Sequence, residues 1–204
     1  MVNKRDGKIA LALSGGGITG WLYEIGSLTA LDDFLEEGFS VRDFDIHIGV
    51  SAGATAAALI ANNVSPEELF LANLGQRESS YYFERKDIFG LAVGEIFRSF
   101  GRLAKSIIPI IRYYIKSKED FYFIDLLDHL QECQPSGFYT LEPFEKYLSR
   151  IIKENGLSDS FTKLKKELYI PATDLDTGRY TVFGDDDNKD VPIPKAIIAS
   201  SAVP

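Results

Sequence analysis

The sequence predicts an α/β fold: a mostly parallel central sheet flanked by helices, with a helical insertion. Three observations predict it. Strand-like and helix-like runs alternate from residue 8 to about residue 75. A glycine- or serine-bearing turn follows each of the first two strands. Helical periodicity then fills about residues 76–155, before two more strands.

Lys8 to Leu13 is a short aliphatic run closed by Ser14-Gly15-Gly16-Gly17, which reads as a buried strand. From Gly20 to Leu35 the residues Trp21, Leu22, Ile25, Leu28, Leu31 and Leu35 recur at three and four, the stripe of an amphipathic helix that Gly38 stops. Phe44 to Val50 reads as a second strand, and Ala52 to Ala61 as an alanine-rich helix. Ser65-Pro66-Glu67-Glu68 predicts a helix start with a capping box and proline in its first turn. Residues 76–138 read as a helical cap within a single 1–204 domain. Thr140-Leu141-Glu142-Pro143 starts another helix. Glu167 to Thr173 and Tyr180 to Phe183 are strands joined by a turn at Asp176-Thr177-Gly178, and Pro194 opens a last short helix.

The 204 residues suit one domain, and folding at that size removes roughly 70% of the unfolded surface from water. The net charge of -8 argues against a nucleic-acid binder, which should be basic. A single cysteine, Cys133, excludes an internal disulfide and fits a reducing compartment. The apolar run Ile9 to Leu13 is too short for a signal peptide, which needs roughly 7–15 apolar residues. No run approaches the roughly 18–20 residues of a membrane span. The expectation is a cytoplasmic chain with room for peripheral membrane contact. The chain stops at Pro204 after the apolar run Ile197 to Val203, so the domain is expected to be incomplete at its C-terminus.

Two motifs carry chemistry. Gly15-Gly16-Gly17-Ile18-Thr19-Gly20 lies between a strand and a helix, where adjacent glycines let backbone N–H groups converge on one point at a helix N-terminus. The string also matches the dinucleotide fingerprint G-x-G-x-x-G, and a tight turn with close helix packing is the plain alternative. Gly49-Val50-Ser51-Ala52-Gly53 lies between a strand and a helix, the setting of a nucleophile elbow. A sharp turn at Ser51 brings Gly49 and Gly53 together, so both must be small. Ser51 as an ordinary helix N-cap is the alternative. Together the motifs say more, because neighbouring parallel strands bring both loops to one carboxyl edge of the sheet. One then supplies a nucleophile and the other, Gly15, Gly16 and Gly17, an oxyanion hole, with the Ala52 N–H as a further donor.

The proton acceptor is harder to find. His47 lies four residues before Ser51 in one strand, some 13 Å away at about 3.3 Å per residue, and reads as a half-buried strand histidine. His129 sits in a helical pattern with Leu126, Leu127 and Leu130 and reads as a solvated or satisfied helix residue. A Ser-His-Asp triad is therefore disfavoured and a carboxylate base remains.

GGGITG, GVSAG about 30 residues on, the ATDLDTG turn and the final ASSAVP resemble the patatin-like phospholipase family over nearly the whole chain, least from about Gln76 to Phe138. The resemblance implies a modified α/β-hydrolase architecture with a Ser-Asp dyad, Ser51 as nucleophile and the Gly15 to Gly17 loop as oxyanion hole. It also implies a lipid or phospholipid substrate and no cofactor or metal. The family's catalytic aspartate stands in an Asp-Gly-Gly or Asp-Gly-Ala motif after the segment matching ASSAVP, which puts it beyond residue 204. The one Asp-Gly pair here, Asp6-Gly7, precedes the first strand, and Asp174 and Asp176 belong to the ATDLDTG turn. Thr19 stands where relatives often carry Arg or Lys. Two rival readings are a lipid-binding scaffold without turnover and a nucleotide-binding module using the glycine loop.

Arg98 to Lys118 holds six basic residues, no acidic one and an apolar body of isoleucines and tyrosines. It reads either as a packed cap helix pair broken at Pro109 or as a patch for anionic membrane surfaces. Asp185 to Asp190 lacks calcium-loop spacing and reads as a solvated loop.

Overall fold

A computed structural model describes residues 7–75, 78–91 and 139–202. His129, Cys133, the basic stretch 98–118 and most of the predicted cap lie outside the described residues. The chain divides into a unit formed by Met1–Ile88 and Leu141–Val203 and a second unit, Phe89–Thr140.

The first unit carries the α/β architecture. Strand β1 (Ala10–Leu13) leads to helix α1 (Gly17–Phe34) and a short 3-10 turn at Val41–Asp43. Strand β2 (Ile46–Gly49), α2 (Ala52–Ala61), α3 (Pro66–Asn73) and the one-turn α4 (Arg85–Ile88) follow. In the second unit, β3 (Gly90–Leu91) pairs antiparallel with β4 (Tyr139–Thr140). This short pair was not among the expected strands: two residues per strand leave no alternation to detect. The first unit resumes with α5 (Glu142–Glu154), β5 (Glu167–Thr173), β6 (Tyr180–Phe183) and α6 (Ile193–Ser201).

The four-stranded sheet runs in the order β1-β2-β5-β6. The first three strands are parallel and β6 returns antiparallel to β5, so the sheet is mixed but mostly parallel. Parallel pairing follows from the intervening helices, since parallel neighbours need long crossovers. The tight 174–179 turn imposes the antiparallel return of β6. Helix α2 packs on β1, β2 and β5, and its alanines Ala54, Ala56, Ala57 and Ala58 are buried, so its backbone rides close to the sheet. Ile25, Leu69, Leu148, Ile151, Ile170, Ile193 and Ile197 complete one core from α1, α3, α5, β5 and α6. Burying each such side chain stabilises the fold by about 1.5–3 kcal/mol.

Several expected details differ. Helix α1 starts at Gly17 rather than Gly20: Gly17 turns the chain into the helix at φ 59°, and the Gly20 N–H already donates to the Gly16 carbonyl at 2.9 Å. The Ser65 side chain makes no capping bond, so α3 starts on Pro66 with Glu67 and Glu68 in its first turn. A capping box stands instead at Ser40 and Asp43, before the 3-10 turn. His47 is fully buried, not half-buried, with Nε2 at 3.1 Å from the Val41 carbonyl, and burial lowers its pKa. No helix among the described residues is long and apolar enough to cross a membrane.

Candidate active site

The site begins with strand register. Leu13 and Gly49 are the last residues of β1 and β2, and they are paired. Ser14 and Val50 therefore leave the sheet side by side at its carboxyl edge. Two bonds tie the departing loops together: the Val50 N–H donates to the Leu13 carbonyl at 3.2 Å, and the Gly53 N–H to the Ser14 carbonyl at 3.1 Å.

Between those bonds the chain makes a sharp elbow. Ser51 sits at φ 55°, ψ -116°, one of two non-glycine residues with positive φ among the described residues. Such a conformation costs about 1–3 kcal/mol and persists where its surroundings hold it. The elbow is tight enough to demand glycine on both sides. A Cβ on Gly49 would lie 2.1 Å from the Gly53 carbonyl oxygen, and one on Gly53 would lie 2.6 Å from the Ser14 carbonyl oxygen. Ser51 precedes α2, yet its side chain makes no capping hydrogen bond, so it is not serving as an ordinary helix cap.

The glycine loop lies against this serine. A Cβ on Gly15 would stand 3.3 Å from Ser51 Cβ and 3.9 Å from Ser51 Oγ. Neither α1 nor α2 carries an acidic residue in its first turn, so the partial positive charge at both helix N-termini is uncompensated by side chains. The Thr19 hydroxyl donates to the Gly16 carbonyl at 3.1 Å and so braces the loop from within. The arrangement sets a serine oxygen beside glycine backbone at the start of two helices, where developing negative charge is favoured.

Of the other candidates, Asp174 is engaged by its own turn. Its Oδ1 accepts the Asp176 N–H at 2.9 Å and its Oδ2 accepts the Thr177 hydroxyl at 2.8 Å. The Thr177 bond leads the interactions that hold its carboxyl below the ordinary range. Asp185 accepts the Asn188 N–H at 3.0 Å, and Lys189 pairs with Asp186 at 3.0 Å, so this acidic run is locally bonded loop.

Two residues near the site carried no role in the sequence reading. Ser200 bonds the Ser51 peptide. Glu24, on α1, is 7% exposed, with Oε2 lacking a partner among the described residues. Burial pushes its carboxyl up to about 7, and the Ser14 backbone N–H, a donor to it, pulls the other way. Periodicity alone could have marked Glu24, because it falls on the buried stripe with Trp21, Ile25 and Leu28.

Glu24 makes stability depend on pH. Below about pH 4.5 the carboxyl is neutral in both folded and unfolded chains. Between there and pH 7 the unfolded chain ionises first, so stability falls as pH rises, by about 3 kcal/mol in total. Glu24→Gln is expected to remove most of that fall. Urea midpoints at pH 5 and pH 8 measure it, and an equal fall in both proteins would contradict it. The comparison is between pH values because a buried amide adds its own unmet donor.

Residues 11–204 match the model of a family described as patatin-like phospholipase. No curated protein matches the sequence. Among solved structures, the chain is similar to the type III effector protein ExoU, with a TM-score of 0.47 at 19% identity, covering 97% of this chain and 39% of that one. A structure of ExoU with SpcU, from the type III secretion system of Pseudomonas aeruginosa, gives a TM-score of 0.46 at 19% identity, covering 97% and 38%. The chain thus spans about two fifths of those chains.

Proposed function

The chain belongs to the patatin-like phospholipase family, and from that premise we propose that it acts as a lipid acyl hydrolase through Ser51. Ser51 Oγ attacks the carbonyl carbon of a lipid ester, and its proton passes to a carboxylate. That carboxylate is the aspartate the family resemblance puts beyond residue 204. The negative charge formed on the carbonyl oxygen is met by N–H groups of Gly15, Gly16 and Gly17, with Ala52 adding a donor at the start of α2. Collapse expels the alcohol, which takes the proton, and leaves an acyl ester on Ser51. Water then attacks this ester and frees the fatty acid and the serine.

The observation that carries this reading is the closeness of Gly15 to a strained, uncapped Ser51. Each oxyanion donor is expected to supply about 2.7–4 kcal/mol of transition-state stabilisation. The test is a fluorophosphonate probe on the full-length protein, followed by mass spectrometry of its peptides. The adduct is expected on Ser51. A folded wild-type protein that takes no label would exclude the nucleophile and leave lipid binding without turnover.

A further inference from the structure

Ser200 has no part in the chemistry above, yet it contacts the candidate nucleophile's own peptide. The Ser51 N–H donates to Ser200 Oγ at 3.0 Å, and the Ser200 hydroxyl donates to the Pro171 carbonyl at 2.6 Å. A hydroxyl has a single proton and two lone pairs. The Pro171 bond uses the proton, which turns the lone pairs toward Ser51. Both ends of this relay are firm. Pro171 lies inside β5, paired with Val182 of β6, and Ser200 lies in the last turn of α6, which packs on β5.

The relay acts on a strained residue. At φ 55°, ψ -116° the Ser51 backbone would relax if its N–H were free to turn. Its side chain makes no capping bond, so the peptide sets where Cβ stands and hence the arc within which Oγ can lie. With its N–H committed to Ser200, Ser51 also contributes no donor to an oxyanion, and that task falls to the neighbouring amides.

We propose that Ser200 is a positioning residue, clamping the Ser51 peptide to β5 so that Oγ is held against the Gly15 backbone. The proposal rests on the reading of Ser51 as nucleophile and adds a residue from the other end of the chain to that site.

The test compares full-length wild type, Ser200→Ala and Ser200→Thr. Amide hydrogen exchange at Ser51, the rate of fluorophosphonate labelling, kcat and KM are measured beside Tm. The Ser51 amide is expected to be protected in wild type and to exchange at least tenfold faster in Ser200→Ala. Labelling and kcat should fall about 10- to 100-fold, as expected for a misplaced reacting group, with KM little changed. Ser200→Thr, which keeps the hydroxyl, should recover most of the loss.

An unprotected Ser51 amide in wild type overturns the proposal, and this holds even if Ser200→Ala does not fold. Labelling of folded Ser200→Ala within about twofold of wild type overturns it too, since misplacement should cost far more. If wild type takes no label, the nucleophile reading fails by itself, while amide exchange still judges the clamp.

Discussion

Replacing Ser51 with alanine is expected to lower lipid-ester hydrolysis by about four to six orders of magnitude, the scale seen when a serine nucleophile is removed. Fluorophosphonate labelling should vanish with it. The same change should barely touch folding. The Ser51 side chain caps no backbone amide of α2, so its removal strands no partner there. Alanine meets the same φ of 55° with no extra bulk. Tm is therefore expected to stay within about 2 °C of wild type, the range of a neutral substitution in a chain of this size. This pairing of outcomes separates a nucleophile from a structural serine. Hydrolysis by Ser51→Ala within tenfold of wild type would refute the assignment.

Gly49→Ala is expected to abolish the fold. The added methyl would stand 2.1 Å from the Gly53 carbonyl oxygen, 2.4 Å from its carbon and 2.6 Å from the Ala54 nitrogen. All three are backbone atoms, so no side-chain rotation gives relief. Relief requires the elbow to open, which breaks the bond from the Gly53 N–H to the Ser14 carbonyl and pulls α2 from the strands it covers. The loss should exceed about 4 kcal/mol, the range reserved for severe steric or packing failure. Gly26→Ala is the control. Its methyl would meet only the Phe70 ring, at 3.8 Å, inside a helix where alanine is favoured by about 0.5–1 kcal/mol. Circular dichroism and urea unfolding of the two variants measure the contrast. A folded Gly49→Ala of near wild-type stability would show that the elbow does not need this glycine.

Much of this architecture was readable in the residues. The alternation of Lys8 to Ala61 foretold β1, α1, β2 and α2, and the bounds of β5 and β6 agree to the residue. These elements are legible because burial on a sheet or helix stripe demands a regular apolar spacing. The glycines of the elbow were legible for a different reason: close backbone approach leaves no other residue. What escaped were features fixed by distant partners. Ser200 stood in the ASSAVP segment with no role of its own, and only the docking of α6 on β5 brings it to Ser51. Glu24 is a different case: its place on the buried stripe of α1 was legible, its residue type pointed to solvent, and the packing of α1 against α2 and α3 buries it. The β3–β4 pair escaped because two residues per strand carry no periodicity. Ser65 misled by type, since its spacing to Glu68 fits a capping box that the side chain does not make.

The bond between Ser51 and Ser200 joins residues 149 apart in the chain. On the ribosome, Ser51 leaves the exit tunnel long before Ser200 has been translated. The strained turn must then wait, without its anchor, while β5, β6 and α6 are made and docked. A nascent chain halted before residue 200 holds the serine but not its clamp, so reactivity is expected to arrive late in synthesis, after much of the sheet has already formed.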